Sequence, residues 1–201
     1  MDKSIVLYNV INSKEIIDKA KNDSNVYNYD IVYLGRLTYQ KDPIRLLNLL
    51  KKVIKKNQNI NVAIVGSGDL EDDVKKYISS NNLESNIHYL GFNSNPYKIL
   101  LSSKMLILTS RFEGTPMVAL EAMALGKPII TTPTDGMIKL VENYKNGFIS
   151  NNDNELIDGI IKLLNDKKLY ESMQDYIKER NNVVNNIDEY IYSIKAIYLE
   201  K

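Results

Sequence analysis

The chain has 201 residues, with no cysteine and no tryptophan, one histidine, five prolines and nine glycines. Without cysteine it has neither disulfides nor a thiolate metal site. The lone histidine, His88, lies in the strand-like run NIHYLGF and reads as structural rather than as a ligand. No charge of one sign dominates. Lys and Arg total 26 against 25 Asp and Glu, a formal net charge of +1. That balance argues against a general nucleic-acid binder, whose footprint is a basic excess. Arginine is scarce and confined to Arg36, Arg45, Arg111 and Arg180, and the lysines fall mostly on helical stretches, where a solvated face is their ordinary role. No apolar run reaches the ~18 residues that would span a bilayer. The opening MDKSIVLYNV is too short and too polar for a signal peptide, so a cytoplasmic protein is expected. No Gly-x-Gly-x-x-Gly follows any strand, which disfavours a nicotinamide-dependent oxidoreductase. Repeats and low-complexity linkers are also lacking, and the length suits one sizeable core.

What the chain has is alternation. Short apolar runs that read as strands fall at residues 30–34, 61–65, 86–90, 104–110, 128–132 and 147–149. Between them lie helical patterns, one opened by Pro43 and others over 70–82 and 95–103. Asp69 is the expected N-cap of the 70–82 helix. Two amphipathic helices, 153–165 and 167–182, follow the last strand, and a tyrosine-rich pattern over 187–199 predicts a final one. Residues 3–10 read as a strand or extended lead-in, with a helical turn around 15–19. About six alternations predict a doubly wound parallel sheet flanked by helices. Strand-to-helix loops at the C-terminal ends of such strands are where ligands bind. Arg36 and Lys41 lie in the first of them, GRLTYQKD, where two cations can neutralise a diphosphate. Solvated cations would look the same. The Gly66-Ser67-Gly68 turn is weak evidence for nucleotide binding, and a tight turn into a helix explains it equally.

Residues 104–132, KMLILTSRFEGTPMVALEAMALGKPIITT, hold the strongest signal. They read as strand, loop, helix and strand. Thr115 is a good N-cap, Pro116 fits the first helical position and Gly126 stops the helix. The helix MVALEAMAL is apolar almost all round, so it is expected to be buried, and Glu121 is its only charge. An unpaired buried carboxylate is costly, so something must satisfy Glu121. Glu113 precedes the helix start, where outward N–H groups and the dipole favour anions. An anion seat beside two hydroxyl acceptors suits a phosphorylated sugar or a sugar nucleotide. The alternative is structural, with Glu121 reaching water or a lysine and Glu113 decorating a first turn.

The string SRFEGTPMVALEAMALGKPII, with seven residues between Glu113 and Glu121, resembles the signature of the retaining glycosyltransferases of family 4. These have two Rossmann-like halves, the GT-B architecture. The resemblance implies that Glu113 contacts the donor sugar's hydroxyls, that Glu121 contacts the nucleotide ribose, and that the run Gly114, Thr115, Pro116, Met117 and Val118 approaches the phosphates. Gly35 and Arg36, followed by Lys41 with its acidic neighbour, match the family's phosphate-binding phrase, and Gly91 and Phe92 fall where backbone borders the nucleobase. Arg36, Lys41 and Glu113 would be the catalytic set. With no Asp-x-Asp pair in the chain, metal-free chemistry without a cofactor is favoured. Past residue 132 the chain departs from the family, with Met137 and Lys139 where a proline and a glutamate are usual, so the resemblance assigns no role to the 135–146 loop.

The resemblance covers only one half of a family enzyme. Residues 1–29 are expected to be the crossing from a missing N-terminal acceptor domain, residues 30–182 the nucleotide-sugar-binding domain, and residues 183–201 a helix packing back on the other half. The implied function is donor binding for retaining, hexosyltransferase-like transfer from a UDP- or GDP-linked sugar in cell-surface polysaccharide or glycolipid synthesis. The acceptor, whether a sugar, a lipid-linked sugar or a protein, is left open, and the missing half would hold any contact with the inner membrane face. The competing reading is a non-catalytic nucleotide-sugar-binding subunit of a split enzyme.

Overall fold

A computed structural model describes residues 9–114 and 116–184, with Ile191, Ile194 and Lys195 beyond them. The elements run α1 (Ser13–Lys21), β1 (Tyr29–Leu34), α2 (Pro43–Lys56), β2 (Val62–Val65), α3 (Glu71–Ser80), β3 (Ile87–Gly91), α4 (Tyr97–Leu101) and β4 (Ser103–Leu108). Then follow α5 (Met117–Ala124), β5 (Ile129–Thr131), α6 (Asp135–Leu140), β6 (Gly147–Ile149), α7 (Asp153–Asn165) and α8 (Lys167–Val184). The strands form one sheet in the order β3-β2-β1-β4-β5-β6, parallel throughout.

A parallel sheet is covered on both faces, which is why its strands read as apolar runs rather than as alternations. Side chains still alternate along each strand. Ile31 and Tyr33 of β1 enter one core with Leu46, Leu50 and Val53 of α2 and Leu156 and Ile160 of α7. Val32 enters the opposite core with Leu100 of α4 and Leu120 and Met123 of α5. Helix α8 packs on both α5 and α7. Among the described residues no helix is long and apolar enough to cross a membrane.

Local signals and tertiary packing set the helix ends. Asn12 accepts from the Glu15 amide at 3.1 Å, so the turn expected at 15–19 extends into the full helix α1, with Ile16 and Ala20 buried against α4 and α5. Asp42 caps α2, and Pro43 follows at its start. Asp69 is not the cap of α3. Leu70 holds that position, its apolar side chain making no cap bond and its amide tied to the Leu37 carbonyl at 2.9 Å. Pro116 sits outside α5 as its N-cap, with extended backbone and no side-chain cap bond, rather than at the first helical position. Thr115, the lead-in over 3–8 and nearly all of the expected 187–199 helix lie outside the described residues. The 135–146 stretch is not all loop. Its first part is α6, and Met137 points into the second core at 1% exposure, an apolar anchor where the family pattern has proline.

Candidate functional site

The strand order reverses between β1 and β4, and a cleft opens at the C-terminal ends of these neighbours, as topology dictates for doubly wound sheets. Two loops build it. In the loop after β1, the buried Tyr33 hydroxyl donates to the Arg36 carbonyl at 2.8 Å, and the fully buried Leu37 donates its amide to the Ser67 carbonyl at 2.9 Å. These ties hold the backbone while the Arg36 side chain stays exposed, reaching Gln40 Oε1 at 3.5 Å.

The loop after β4 is sewn to the first. Gln40 Nε2 donates to the Phe112 carbonyl at 3.0 Å, and the Arg111 amide donates to the Gln40 carbonyl at 2.8 Å. The Arg111 guanidinium pairs with Asp42 at 2.7 Å and stacks on the Tyr39 ring at 4.3 Å. Thr109 Oγ1 donates to the Asp42 carbonyl at 3.0 Å. The cations of one loop and the carboxylate of the other therefore share one frame. Lys41 Nζ donates to Glu113 Oε1, and the Ser110 hydroxyl donates to the same oxygen at 2.7 Å. The pair is nearly buried, with side-chain exposures of 12% for Lys41 and 8% for Glu113.

Glu121 has no cationic partner among the described residues. The Tyr97 hydroxyl donates to its Oε1 at 3.3 Å. Burial pushes the Glu121 carboxyl above its ordinary value, and the tyrosine bond offsets part of that. A carboxyl raised in the folded state adds no penalty below the unfolded value of about 4.3, where both states are protonated. As pH climbs, the unfolded chain ionises first, so the folded state loses stability until its own carboxyl has ionised. Glu121→Gln removes that penalty. It is expected to melt above the parent at neutral pH and level with it near pH 4, read by thermal denaturation at both. Equal gaps at the two pH values would contradict the raised carboxyl.

The cleft is about 890 Å³. Gly35, Arg36, Lys41, Phe92, Glu113, Pro116, Met117, Val118 and Glu121 line it together. Gly91 and Gly114 stand off its wall, although Gly91 supports it by accepting from the Gly66 amide at 2.8 Å. Gln40, Ser67 and Asn93 also line the cleft. Gln40, Ser110 and Tyr97 carry no signal of their own in the sequence, because each acts through a partner distant in the chain or on a loop. His88 lies away from the cleft, its ring 5.8 Å from that of Tyr29, in keeping with a structural role.

The profile of the family described as Glycosyl transferases group 1 matches residues 14–180. The chain belongs to this family. It is 31% identical over 172 residues to an uncharacterized glycosyltransferase of Haemophilus influenzae, covering 84% of this chain and 48% of that protein. It is also 31% identical over 194 residues to the UDP-Gal:alpha-D-GlcNAc-diphosphoundecaprenol alpha-1,3-galactosyltransferase of Escherichia coli, covering 93% and 48%. Against the poly(ribitol-phosphate) alpha-N-acetylglucosaminyltransferase of Staphylococcus aureus it is 29% identical over 172 residues, covering 84% and 33%. The group 1 chain thus spans a third to a half of these curated relatives. In fold it is similar to a TarM variant of S. aureus solved with fondaparinux, alpha-GlcNAc-glycerol and UDP, with a TM-score of 0.80, 22% identity, and coverage of 94% and 43%.

Proposed function

We propose that this chain is the donor-binding part of a retaining, metal-independent glycosyltransferase, and that the cleft holds a UDP- or GDP-linked hexose. The observation that carries the reading is the meeting of Arg36, Lys41, Glu113 and Glu121 in one cleft at the sheet's reversal point, beside the start of α5. The cations lie on the loop after β1, where a diphosphate would approach the ends of the central strands. The start of α5 adds its dipole to the attraction for an anion. The carboxylates suit the hydroxyls at either end of such a donor, Glu113 taking those of the sugar and Glu121 those of the ribose.

In transfer, the bond between the anomeric carbon and the diphosphate breaks and the nucleoside diphosphate leaves with the electron pair. Arg36 and Lys41 stabilise that growing charge, the contribution expected to dominate in such a site. Glu113 holds the sugar in place while the acceptor hydroxyl oxygen forms the new bond to the anomeric carbon and gives up its proton to the departing diphosphate. Both named characterised relatives carry alpha-linked products in their names, which supports retention from an alpha-linked donor. The E. coli relative's undecaprenol-linked substrate supports an acceptor presented at a membrane face, in surface polysaccharide or glycolipid assembly. Transfer needs both substrates held together, so acceptor recognition is proposed for the protein at the length of its relatives.

The test is calorimetric titration with UDP, GDP and ADP and then with their hexose conjugates, with and without Mg²⁺. One nucleotide is expected to bind saturably and alike in both conditions, and Arg36→Ala is expected to weaken it at least ~10-fold, the share of a charge-assisted bond. A folded chain that binds none of the three overturns the donor reading. Binding only with Mg²⁺ overturns its metal-independent part.

A further inference from the structure

We infer that Tyr97 is a positioning residue for the ribose of the donor, holding the Glu121 carboxylate from behind so that its free oxygen faces the cleft. The inference rests on the donor reading above and adds to it a residue outside the binding surface. Glu121 lines the cleft and Tyr97 does not. Tyr97 opens α4 after Pro96 and, partly buried, packs against the second core. One face of the ring thus rests on the core, and its hydroxyl reaches Glu121 Oε1 at 3.3 Å.

Glu121 needs such a partner because of where it sits. Its neighbours on α5, Leu120 and Ala122, are fully buried, and no Lys or Arg pairs with it among the described residues. A carboxylate held only by apolar neighbours would protonate or rotate away. A protonated carboxyl offers one acceptor fewer to a vicinal diol. With Oε1 occupied by the tyrosine, Oε2 and the remaining lone pair of Oε1 stay available for the two ribose hydroxyls. The other charged group near the tyrosine is Glu15 of α1, which is itself paired with Lys19 at 2.6 Å. On the cleft side, Lys41 is engaged by Glu113 and not by Glu121.

The experiment compares UDP and GDP with their 2′,3′-dideoxy analogues, on the parent chain, Tyr97→Phe and Glu121→Ala. Phenylalanine keeps the ring and its packing, so Tyr97→Phe is expected to fold as the parent does, losing only the stability that the tyrosine bond gives the ionised Glu121. The parent is expected to prefer the natural nucleotide over its dideoxy analogue by about 10- to 100-fold, the range for hydrogen bonds to a charged group. Glu121→Ala should abolish that preference. Tyr97→Phe should shrink it at least ~5-fold at pH 7 and by less at pH 8.5, because losing the tyrosine bond moves the carboxyl further upward and higher pH favours its ionised form. A merely structural tyrosine would lower both affinities together and leave their ratio and its pH dependence alone. Tyr97→Phe keeping the parental ratio at both pH values overturns the inference while leaving the donor reading in place. A parent that binds natural and dideoxy nucleotides alike overturns the ribose assignment of Glu121, and with it the role of Tyr97.

Discussion

Lys41→Met is expected to remove most donor binding and to destabilise the fold, two losses with separate causes. The stability loss comes from Glu113. Its carboxylate is 8% exposed and shares one oxygen between Lys41 and the Ser110 hydroxyl. Removing the ammonium leaves a nearly buried charge held by one neutral donor, and breaking such a pair from one side costs about 3–5 kcal/mol. For a chain of this size that is a fall of about 10 °C in melting temperature. The binding loss comes from the diphosphate, which loses one of two cations and meets an uncompensated carboxylate; about 100-fold is expected. Lys41→Met with Glu113→Gln separates the two effects. With both charges gone no buried charge is orphaned, so the double variant should regain most of the stability but only the share of the binding lost to the orphaned carboxylate. Glu113→Gln alone frees Lys41 for the phosphates, so its nucleotide affinity should be at least parental while sugar transfer at the relatives' full length falls. Thermal melts and nucleotide titrations of the four proteins complete the cycle. A Lys41→Met chain that melts with the parent would show that the pair contributes nothing in solution.

Much of this arrangement is legible before any coordinates, and the parts that are not share a cause. Helix α7 begins and ends at 153 and 165, as its periodicity predicts, because burial and the Asn152 cap found in the structure agree with it. Glu121 could be recognised as a charge in need of a partner from its apolar helix alone. That the partner is a tyrosine could not, since Tyr97 is brought to it by the packing of α4 on α5. Gln40 is similar. In sequence it is one polar residue in a loop, and only the β1–β4 pairing brings it to the Phe112 carbonyl. Helix α6 lies inside the 135–146 stretch that is expected from the sequence to be a loop. The Gly136 amide bonds to the Glu113 carbonyl at 3.4 Å, and Met137 buries against the core, so tertiary contacts make the helix. Gly147 opens β6 where the last strand is expected from the sequence, and the reason for the glycine is a neighbour. A Cβ at 147 would sit 1.9 Å from the Ile129 carbonyl oxygen of β5.

The same test of space gives the largest expected effect on folding. Gly66→Ala should destabilise the chain by about 4 kcal/mol or more, because two independent faults coincide. The backbone at Gly66 has φ +137°, a region that L side chains rarely adopt, and forcing one there costs about 1–3 kcal/mol. The added Cβ would also lie 1.9 Å from the Gly35 carbonyl oxygen. That oxygen belongs to backbone and cannot swing aside, since the Gly35 amide is bonded to the Val65 carbonyl at 3.0 Å. Gly66 is itself held from the other side, its amide by Gly91 at 2.8 Å and its carbonyl by the Tyr89 hydroxyl at 2.9 Å. Relief would require β1 and β2 to part at the rim of the cleft. Gly114→Ala is the matched control. Nothing lies within 4 Å of a Cβ there and its φ is ordinary, so its stability should change by less than about 0.5 kcal/mol. Any fall in donor affinity in Gly114→Ala would then report how closely the ligand approaches that backbone, free of a folding effect. Denaturant unfolding of both variants decides the matter, and a Gly66→Ala chain as stable as Gly114→Ala would mean that the β1 and β2 crests do not meet as described.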